Sequence, residues 1–279
     1  MRDIEMAQIV GAVKEMCIEA NYRLEDDVVE SIHSSLSSEG SEMAREILGD
    51  MIENLDIADK NSMPICQDTG MAVFFVEIGR DVHLEGDITE AINEGVRQGY
   101  KEGCLRASIV GDPLLRVNTG DNTPSVIYYD IVAGDEIVIK FAPKGFGSEN
   151  MGKLKMLKPS DGIEGVRKFV IDTVREAGPN PCPPIVVGVG IGGTMDKACQ
   201  IAKKALFRNL NSSHPEEHIA NLERELLSEI NKLGIGPQGF GGDTTSLGVN
   251  IETYPTHIAG LPVAVNINCH VSRHKECRI

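Results

Sequence analysis

One stretch of the chain, residues 64–70 with the sequence PICQDTG, places a thiol, an amide, a carboxylate and a hydroxyl side by side. Proline precedes these groups and glycine ends them, which is typical of a connection between a helix and a strand, where functional groups are commonly placed. Two later cysteines have similar settings, Cys182 in the run GPNPCPP and Cys269 in the run NINCH. We therefore predict that Cys66, Cys182 and Cys269 meet in space.

These three cysteines are far apart in the chain, so they do not form the local C-x-x-C framework of zinc ribbons and ferredoxin-type clusters. Three thiolates from distant loops would leave one iron of a four-iron cluster without a protein ligand, and such an iron can act as a Lewis acid. Unrelated cysteines, a catalytic thiol and a zinc site stay open as alternatives. The other four cysteines are predicted not to be ligands: Cys17, Cys104, Cys199 and Cys277. Cys277 is expected near a frayed chain end.

Three polar residues are candidates for work beside such a site. Asp68 either shapes its own turn or holds a carboxylate in place for proton transfer. Arg106 follows a predicted helix, so it is either a surface residue or a clamp for a carboxylate, which a guanidinium binds with two hydrogen bonds. His257, in a turn before the last predicted strand, is either structural or a proton donor.

Two glycine-rich runs and the chain end also carry candidates. Residues 144–150, KGFGSEN, form either a plain turn or a loop whose amides surround an anion. Residues 188–193, GVGIGG, imitate a dinucleotide fingerprint, but no acidic residue ends a following strand, so a tight turn capped by Thr194 is favoured. Near the C-terminus, His270, Arg273 and His274 are expected to be exposed, although one of them could support a metal site.

Composition and charge exclude some classes of partner. The 279 residues have a formal net charge of −15, which argues against nucleic acid and anionic membranes, because both need a basic face. The N-terminus has no long apolar core after its first charges, and no apolar run approaches the roughly 20 residues that span a bilayer. We expect a cytoplasmic protein, in which the seven cysteines stay reduced.

The periodicity of apolar residues predicts a helical N-terminal region over 4–20, 25–36 and 42–60. Further helices are predicted over 88–102, 160–176, 195–208 and 216–233, and strands over 71–78, 185–189, 246–251 and 262–267. Ser125–Val132 and Glu136–Ala142 are separated by a short turn and are predicted to form a hairpin. We expect a single domain over 1–279, of the mixed α/β class, with mixed parallel and antiparallel sheets covered by helices.

Taken together, five runs resemble the iron–sulfur (class I) fumarases and the related tartrate dehydratases: PICQDTG at 64–70, KGFGSEN at 144–150, NPCPP at 180–184, GFGGDTT at 239–245 and NCH at 268–270. The resemblance covers nearly the whole chain, and its combined motifs are specific. It implies the fold of the N-terminal domain of class I fumarases. It also implies a [4Fe–4S] cluster, held by Cys66, Cys182 and Cys269.

The resemblance further implies the roles of the polar residues. Gln67 and Asp68 would contact substrate, with Asp68 in proton transfer, Arg106 would bind a substrate carboxylate, and His257 would line the site. Amides near Gly145 and Gly147 would add hydrogen bonds, although Phe146 stands where the family has a glycine. The base that the family carries in a second domain has no counterpart, so the chain resembles the alpha subunit of the two-subunit form and implies a beta subunit as partner.

The implied reaction is the reversible dehydration of a small 2-hydroxydicarboxylic acid, in the tricarboxylic acid cycle if the substrate is (S)-malate. From the sequence, conversion of (S)-malate to fumarate ranks first and dehydration of L-tartrate to oxaloacetate is the alternative. A cluster-carrying electron-transfer or sensor subunit without catalysis is a rival. Asp68, Arg106 and His257 placed around an open iron would argue against it, because electron carriers usually ligate every iron. A nicotinamide-dependent oxidoreductase is a further rival, which an intact dinucleotide pocket at 188–193 would support.

Overall fold

The computed structural model describes residues 2–279. The helices are α1 (Met6–Tyr22), α2 (Asp26–Ser38), α3 (Glu42–Asn61), α4 (Ile88–Glu102), α5 (Phe146–Glu149), α6 (Gly162–Ala177), α7 (Met195–Ala205) and α8 (Glu217–Asn231). The strands are β1 (Arg2–Ile4), β2 (Met71–Gly79), β3 (Val82–Leu84), β4 (Val126–Val132), β5 (Ile137–Lys144), β6 (Lys153–Leu157), β7 (Ile185–Gly192), β8 (Ser246–Tyr254), β9 (Leu261–Asn268) and β10 (Lys275–Arg278). The mixed α/β class and the helical N-terminal region are confirmed.

The chain folds into two compact units, which are described separately. The first unit contains the residues up to Glu25, Leu55–Phe146 and Arg273–Ile279, and the second contains Asp26–Asn54 and Gly147–Ser272. The single domain over residues 1–279 and the likeness to the N-terminal domain of class I fumarases stay predictions.

The first unit is built on a four-stranded sheet of the order β10-β5-β2-β4. β4 runs parallel to β2, whereas β5 is antiparallel to β2 and β10 is antiparallel to β5. Apolar residues of α1 and α4 pack with those of β2 and β5 in one core, which includes Phe74 and Phe141 at its centre. The ring centroids of these two phenylalanines are 4.9 Å apart. This core supports β2, whose first residue follows the PICQDTG run directly.

The predicted hairpin of Ser125–Val132 and Glu136–Ala142 is wrong. Both strands exist, as β4 and β5, but they lie on opposite sides of β2 and do not pair with each other. Their short connection crosses the end of β2, where the Asp81 amide donates to the carbonyl of Gly134 at 2.9 Å. Two strand spacings amount to about 10 Å, which four residues easily span, so the length of the turn alone does not establish that the strands it joins are neighbours.

The second unit contains a four-stranded sheet of the order β6-β9-β7-β8. β8 is parallel to β7, while β9 is antiparallel to both β7 and β6. Apolar residues of α6 and α8 share a core with β7, β8 and β9. β6 has no counterpart among the predicted strands, because it is an edge strand whose residues are mostly exposed and include two lysines, a composition that protects sheet edges and hides the apolar alternation.

The glycines of β7 serve packing. A Cβ added at Gly188 would overlap the carbonyl oxygen of Ala202, and one added at Gly190 would overlap that of Ala198. Both carbonyls belong to α7, so these glycines let the backbone of α7 lie directly on the strand. The run at 188–193 therefore has a steric explanation, and the nicotinamide alternative loses the feature on which it rests.

The C-terminus is ordered, which corrects the expectation of a frayed end. β10 pairs with β5 over Lys275–Arg278, and Cys277 lies opposite Ile139. Burial raises the pKa of the Cys277 thiol to about 11, so this thiol is protonated at neutral pH. Over residues 2–279, no helix combines the length and the apolar composition that crossing a bilayer requires.

Candidate functional site

In the first unit, the PICQDTG run connects α3 to β2 as an irregular loop. The loop is fixed at its start, where the Ile65 amide donates to the carbonyl of Asn21 in α1 at 2.9 Å. Cys66 is half-buried and Gln67 is exposed. The Cys66 thiol lies 3.6 Å from the Gln67 side-chain oxygen, to which it can donate. The two neighbouring side chains are thus presented together at an accessible surface of this unit.

The Asp68 carboxylate is held by two backbone amides. Its Oδ1 accepts from Gly70 at 3.0 Å and its Oδ2 accepts from Phe146 at 3.1 Å. A Cβ at Gly145 would lie 3.1 Å from Oδ2, so the glycine gives the carboxylate the room it occupies. Two amide donors fix the orientation of an ionised carboxylate and leave further lone pairs for a substrate proton. The Phe146 amide, at the position where the sequence departs from the family, is engaged with Asp68.

Two buried side chains hold the loop behind Asp68. The Tyr100 hydroxyl donates to the carbonyls of Thr69 at 2.7 Å and Gly70 at 3.1 Å. Asn122 donates to the Gly70 carbonyl at 3.2 Å and accepts from the Ser108 amide at 2.8 Å. Burial raises the pKa of the Tyr100 phenol well above its ordinary value, so the phenol remains a donor. Gly70 has a φ of +75°, a conformation that favours glycine.

Arg106 is placed next to this loop by its backbone. Its amide donates to the Thr69 hydroxyl at 2.9 Å, and that hydroxyl lies 3.3 Å from the Arg106 carbonyl, to which it can donate. Arg106 itself is exposed. Among the residues that the structure describes, none forms an ion pair with its guanidinium. Such a guanidinium, anchored one residue from Asp68, is suited to bind an anion from solution.

Arg273 is buried rather than exposed, which corrects the expectation for the residues near the C-terminus. It is 3% exposed. One end of its guanidinium donates to the Asn21 side-chain oxygen at 2.8 Å, and the other donates to the Asp68 carbonyl at 2.7 Å. His270 and His274 are half-buried. Arg273 therefore belongs to the support of the Asp68 loop.

In the second unit, Cys182 and Cys269 are brought together. Cys182 precedes β7 and Cys269 follows β9, and these strands are antiparallel, with Val186 opposite Asn268. The amide of His270, the residue after Cys269, donates to the Cys182 carbonyl at 3.3 Å. Cys182 is exposed and Cys269 is half-buried. The two thiols thus belong to adjoining loops at one end of this sheet.

The Cys182 loop has its own support from the glycine-rich run that ends in GFGGDTT. Gln238, with a left-handed φ of +52°, donates to the Pro183 carbonyl from its backbone amide at 2.8 Å and from its side chain at 3.2 Å. The His270 ring nitrogen Nδ1 lies 3.3 Å from the Gln238 amide nitrogen and 3.1 Å from the Cys182 carbonyl. Gly147 also lies close to this loop, since a Cβ added there would be 3.6 Å from the Asn180 carbonyl oxygen.

Glu39 fixes the far part of the same run. Its carboxylate, 3% exposed, accepts from the amides of Ser41 at 3.1 Å, Asp243 at 2.8 and 3.0 Å, and Thr244 at 3.0 Å. Burial alone would raise the pKa of Glu39, but the amides of Asp243, Ser41 and Thr244 outweigh it, and the pKa is lowered. A buried, ionised glutamate therefore organises the loop that supports Cys182.

His257 lies at the opposite end of the sheet from the two cysteines. It follows β8, whose last residue Tyr254 pairs with Gly192 at the end of β7, and the Thr256 hydroxyl donates to the Gly193 carbonyl at 2.9 Å. The eight residues of β7 separate the two ends by roughly 23 Å. Within one copy of the second unit, His257 therefore does not reach the end that carries Cys182 and Cys269.

Over residues 2–279, no group of three or more His, Cys, Asp and Glu side chains has the geometry to hold one metal ion. Cysteine thiolates are the usual ligands of iron–sulfur clusters, and Cys66, Cys182 and Cys269 are free cysteines in loops. Burial also raises the pKa of the Cys17 thiol well above its ordinary value, which disfavours the thiolate that metals require. Arg273 carries a buried, orphaned Nε atom, and it lies beside the Cys66 loop with a charge that suits an anionic cluster.

Sequence reasoning missed several residues that hold these loops. They are separated in the chain from the motifs they support, and a lone polar residue in a helix or turn gives no signal of its own. Only Gln238 borders a motif that the sequence had singled out. The missed residues are Asn21, Glu39, Tyr100, Asn122 and Gln238.

Comparison with known proteins places this chain in a family. The model of the family described as Fumarate hydratase (Fumerase) matches residues 10–278. A Methanocaldococcus jannaschii protein, provisionally named L(+)-tartrate dehydratase subunit alpha, is 46% identical over an alignment of 279 positions that covers 98% of each chain. The L(+)-tartrate dehydratase subunit alpha of Escherichia coli strain UTI89 is 36% identical over 92% of this chain and 86% of its own length. That of Escherichia coli O157:H7 is 37% identical over 90% and 84%, respectively.

The chain belongs to the fumarate hydratase (Fumerase) family, together with alpha subunits of the tartrate dehydratases. It is therefore a hydro-lyase chain, and the resemblance noted in the sequence is confirmed.

Proposed function

We propose that this chain is the alpha subunit of a [4Fe–4S]-dependent hydro-lyase that dehydrates L-tartrate to oxaloacetate. The single observation that favours tartrate is the name carried by relatives that span nearly the whole chain. The order drawn from the sequence, with (S)-malate first, is thereby reversed. Dehydration of (S)-malate to fumarate remains the second candidate, because the matching family model is described as fumarate hydratase.

In this proposal the cluster is held by Cys66, Cys182 and Cys269. All three lie in loops beside regular elements, Cys182 exposed and Cys66 and Cys269 half-buried. The adjoining loops of Cys182 and Cys269 support a joint role for these two. With three cysteine ligands, the cluster when bound would supply an iron with an open position, which serves as Lewis acid for the substrate hydroxyl.

The protein side chains would bind and orient the substrate. Arg106 would form a bidentate pair with one carboxylate, for which its exposed guanidinium is suited. Gln67 would donate to a substrate oxygen, and Asp68, held by two amides, would take part in proton transfer. Backbone amides near Gly145 and Gly147 would add hydrogen bonds, apart from the Phe146 amide, which Asp68 already uses.

A separate beta subunit would complete the site. A dicarboxylic substrate needs cations for both carboxylates and a base for the adjacent carbon, and Arg106 would serve one of the two carboxylates. The relatives named subunit alpha support such a partner. We propose that the beta chain supplies the base and the remaining cations, and that neither chain dehydrates substrate alone.

His257 would act on a site whose cysteines belong to another copy of the chain. The length of β7 separates it from Cys182 and Cys269 in its own copy, so a role in catalysis requires that two alpha chains approach each other. Exposure of the loop that carries His257 is compatible with that arrangement.

The experiment for the cluster compares four serine variants prepared anaerobically. Cys66→Ser, Cys182→Ser and Cys269→Ser should each lose the cluster in iron and sulfide analysis, because each removes one of three ligands. Cys199→Ser, which changes an exposed helical cysteine, is the matched control and should keep full content. Full cluster content in Cys182→Ser would refute the assignment.

Mixed dimers test His257. Cys182→Ser and His257→Ala chains are mixed in equal amounts with the beta chain. If each site takes its cysteines from one copy and its histidine from the other, every mixed dimer has one intact site of two. Random pairing makes half of the dimers mixed, so about a quarter of wild-type activity returns, whereas sites formed within one copy would restore none. Inactivity of mixed dimers whose formation is verified by differential tags would rule out the shared site.

A further inference from the structure

Arg273 is a buried cation with no carboxylate partner among the residues that the structure describes. It is 3% exposed, and its Nε atom has no hydrogen-bond acceptor. Each of its two terminal nitrogens donates to a neutral oxygen, one to the Asn21 side chain at 2.8 Å and the other to the carbonyl of Asp68 at 2.7 Å. Burying a charge without an opposite charge is costly, so a function should account for its retention at this place.

The contacts of Arg273 connect the residues on both sides of Cys66. The backbone carbonyl of Asn21 accepts a hydrogen bond from the Ile65 amide at 2.9 Å. The Asn21 side chain donates to the Cys17 carbonyl at 2.8 Å. Arg273 binds the Asn21 side chain and reaches Asp68 on the far side of the loop. Cys66 and Gln67 therefore lie between two residues that the Asn21–Arg273 pair holds in place.

The same contacts limit how far the charge lies from the thiol. The guanidinium is in contact with the Asp68 carbonyl, and Cys66 is two residues from Asp68, so chain geometry keeps the charge within about 15 Å of the thiol. Ile65 and Thr69 are buried, whereas Cys66 is half-buried and Gln67 is exposed. A buried charge in this range of a half-buried thiol is only partly screened by solvent.

We propose that Arg273 is a positioning residue that holds Cys66 and Asp68 in their working arrangement and places a positive charge beside the cluster. The proposal rests on the proposed function, since it assumes that Cys66 is a cluster ligand. The fork of the guanidinium fixes the Asp68 peptide, and the charge favours the more negative, reduced form of the cluster. Partners behind metal ligands commonly change affinity or activity by about 10- to 100-fold when replaced.

The test uses the anaerobically reconstituted pair of chains with Arg273→Gln and Arg273→Lys. Arg278→Gln is the matched control, because Arg278 lies in the same terminal segment and its side chain is 63% exposed. Four quantities are measured for each variant: iron content, the reduction potential of the cluster, kcat and KM. Circular dichroism of the apoprotein verifies the fold.

Arg273→Gln should lower the reduction potential and lower kcat about 10- to 100-fold, with a smaller change in KM. Arg273→Lys keeps the charge but loses the fork, so its potential should stay close to that of the wild type while kcat still falls about tenfold. Arg278→Gln should change neither quantity.

A folded Arg273→Gln variant with the potential and kcat of the wild type would overturn the proposal. Should that variant fail to fold, an Arg273→Lys variant with wild-type kcat would overturn it instead. A wild-type protein that takes up no cluster would refute the proposed function itself. The iron content of the wild type therefore distinguishes failure of the proposed function from failure of this inference.

Discussion

Replacement of Glu39 by glutamine should destabilise the second unit strongly, although the two side chains have nearly the same size. The carboxylate accepts from Ser41 and Asp243 on one oxygen and from Asp243 and Thr244 on the other. Glutamine keeps one acceptor oxygen but turns the other into a donor that faces the Thr244 amide. The variant therefore loses a charge-assisted hydrogen bond and leaves a buried donor without an acceptor.

The size of the effect follows from these contacts. A hydrogen bond to a charged group contributes about 1.5–3 kcal/mol, and a buried unsatisfied donor costs about 1–3 kcal/mol. Because the Ser41 contact and one Asp243 contact survive, we expect the free energy of unfolding to fall by about 3 kcal/mol. At about 2–4 °C per kcal/mol for chains of 150–250 residues, Tm should fall by at least about 6 °C.

The effect should depend on pH with a definite sign. The pKa of Glu39 is lowered in the native protein, so its carboxylate stabilises the fold fully above about pH 4.3, the ordinary value of an unfolded glutamate. This contribution is lost as the pH falls through the lowered native pKa. The difference between wild type and Glu39→Gln should therefore be complete at pH 7 and shrink at pH values below about 4.

Urea unfolding followed by circular dichroism measures this difference, with Glu53→Gln as the matched control. Glu53 is an exposed residue of α3, where the same change should alter the free energy of unfolding by less than about 0.5 kcal/mol. A Glu39→Gln variant that is as stable as this control at pH 7 would refute the reasoning. So would a difference that grows on acidification.

Three further variants test the site and the fold. Arg106→Ala should raise KM about 30-fold or more, because roughly 2 kcal/mol or more of carboxylate binding is lost. Arg80→Ala, at an exposed arginine, should leave KM unchanged. Equal KM values for the two variants would show that Arg106 does not bind substrate. Asp68→Asn should lower kcat by about 10²–10⁴ with the cluster still present, whereas the exposed Asp135→Asn should not, and unchanged turnover in Asp68→Asn would end its catalytic role. Gly190→Ala should destabilise the second unit by about 1–3 kcal/mol or more in urea unfolding, because the added Cβ would overlap the backbone of α7; wild-type stability would contradict the packing account.

Local sequence patterns predicted much of the fold, and failed where long-range pairing decides. The helices and the buried strands have strong apolar periodicity, which is a local property. In the first sheet, β2 lies between β4 and β5. The length of the turn that joins β4 to β5 does not reveal that a third strand lies between them. β6 and β10 are edge strands with charged residues, so their pairing with β9 and β5 leaves little trace in the sequence.

The candidate site shows the same division. Cys182 and Cys269 were found from their settings, because proline, asparagine and glycine mark the ends of elements, and the structure brings their loops together. The burial of Arg273 could not be read from a polar chain end, since it depends on Asn21 at the end of α1 and on the carbonyl of Asp68. The position of His257 at the other end of the sheet likewise follows only from strand register.

The most direct test of the proposed function is the rate of dehydration of two acids by the reconstituted pair of chains. Oxaloacetate formed from L-tartrate and fumarate formed from (S)-malate are measured anaerobically on the same preparation, and on each chain alone. The proposal predicts that the pair has the higher kcat/KM for L-tartrate and that neither chain alone is active. A pair that carries its cluster but prefers (S)-malate, or that dehydrates neither acid, would contradict it.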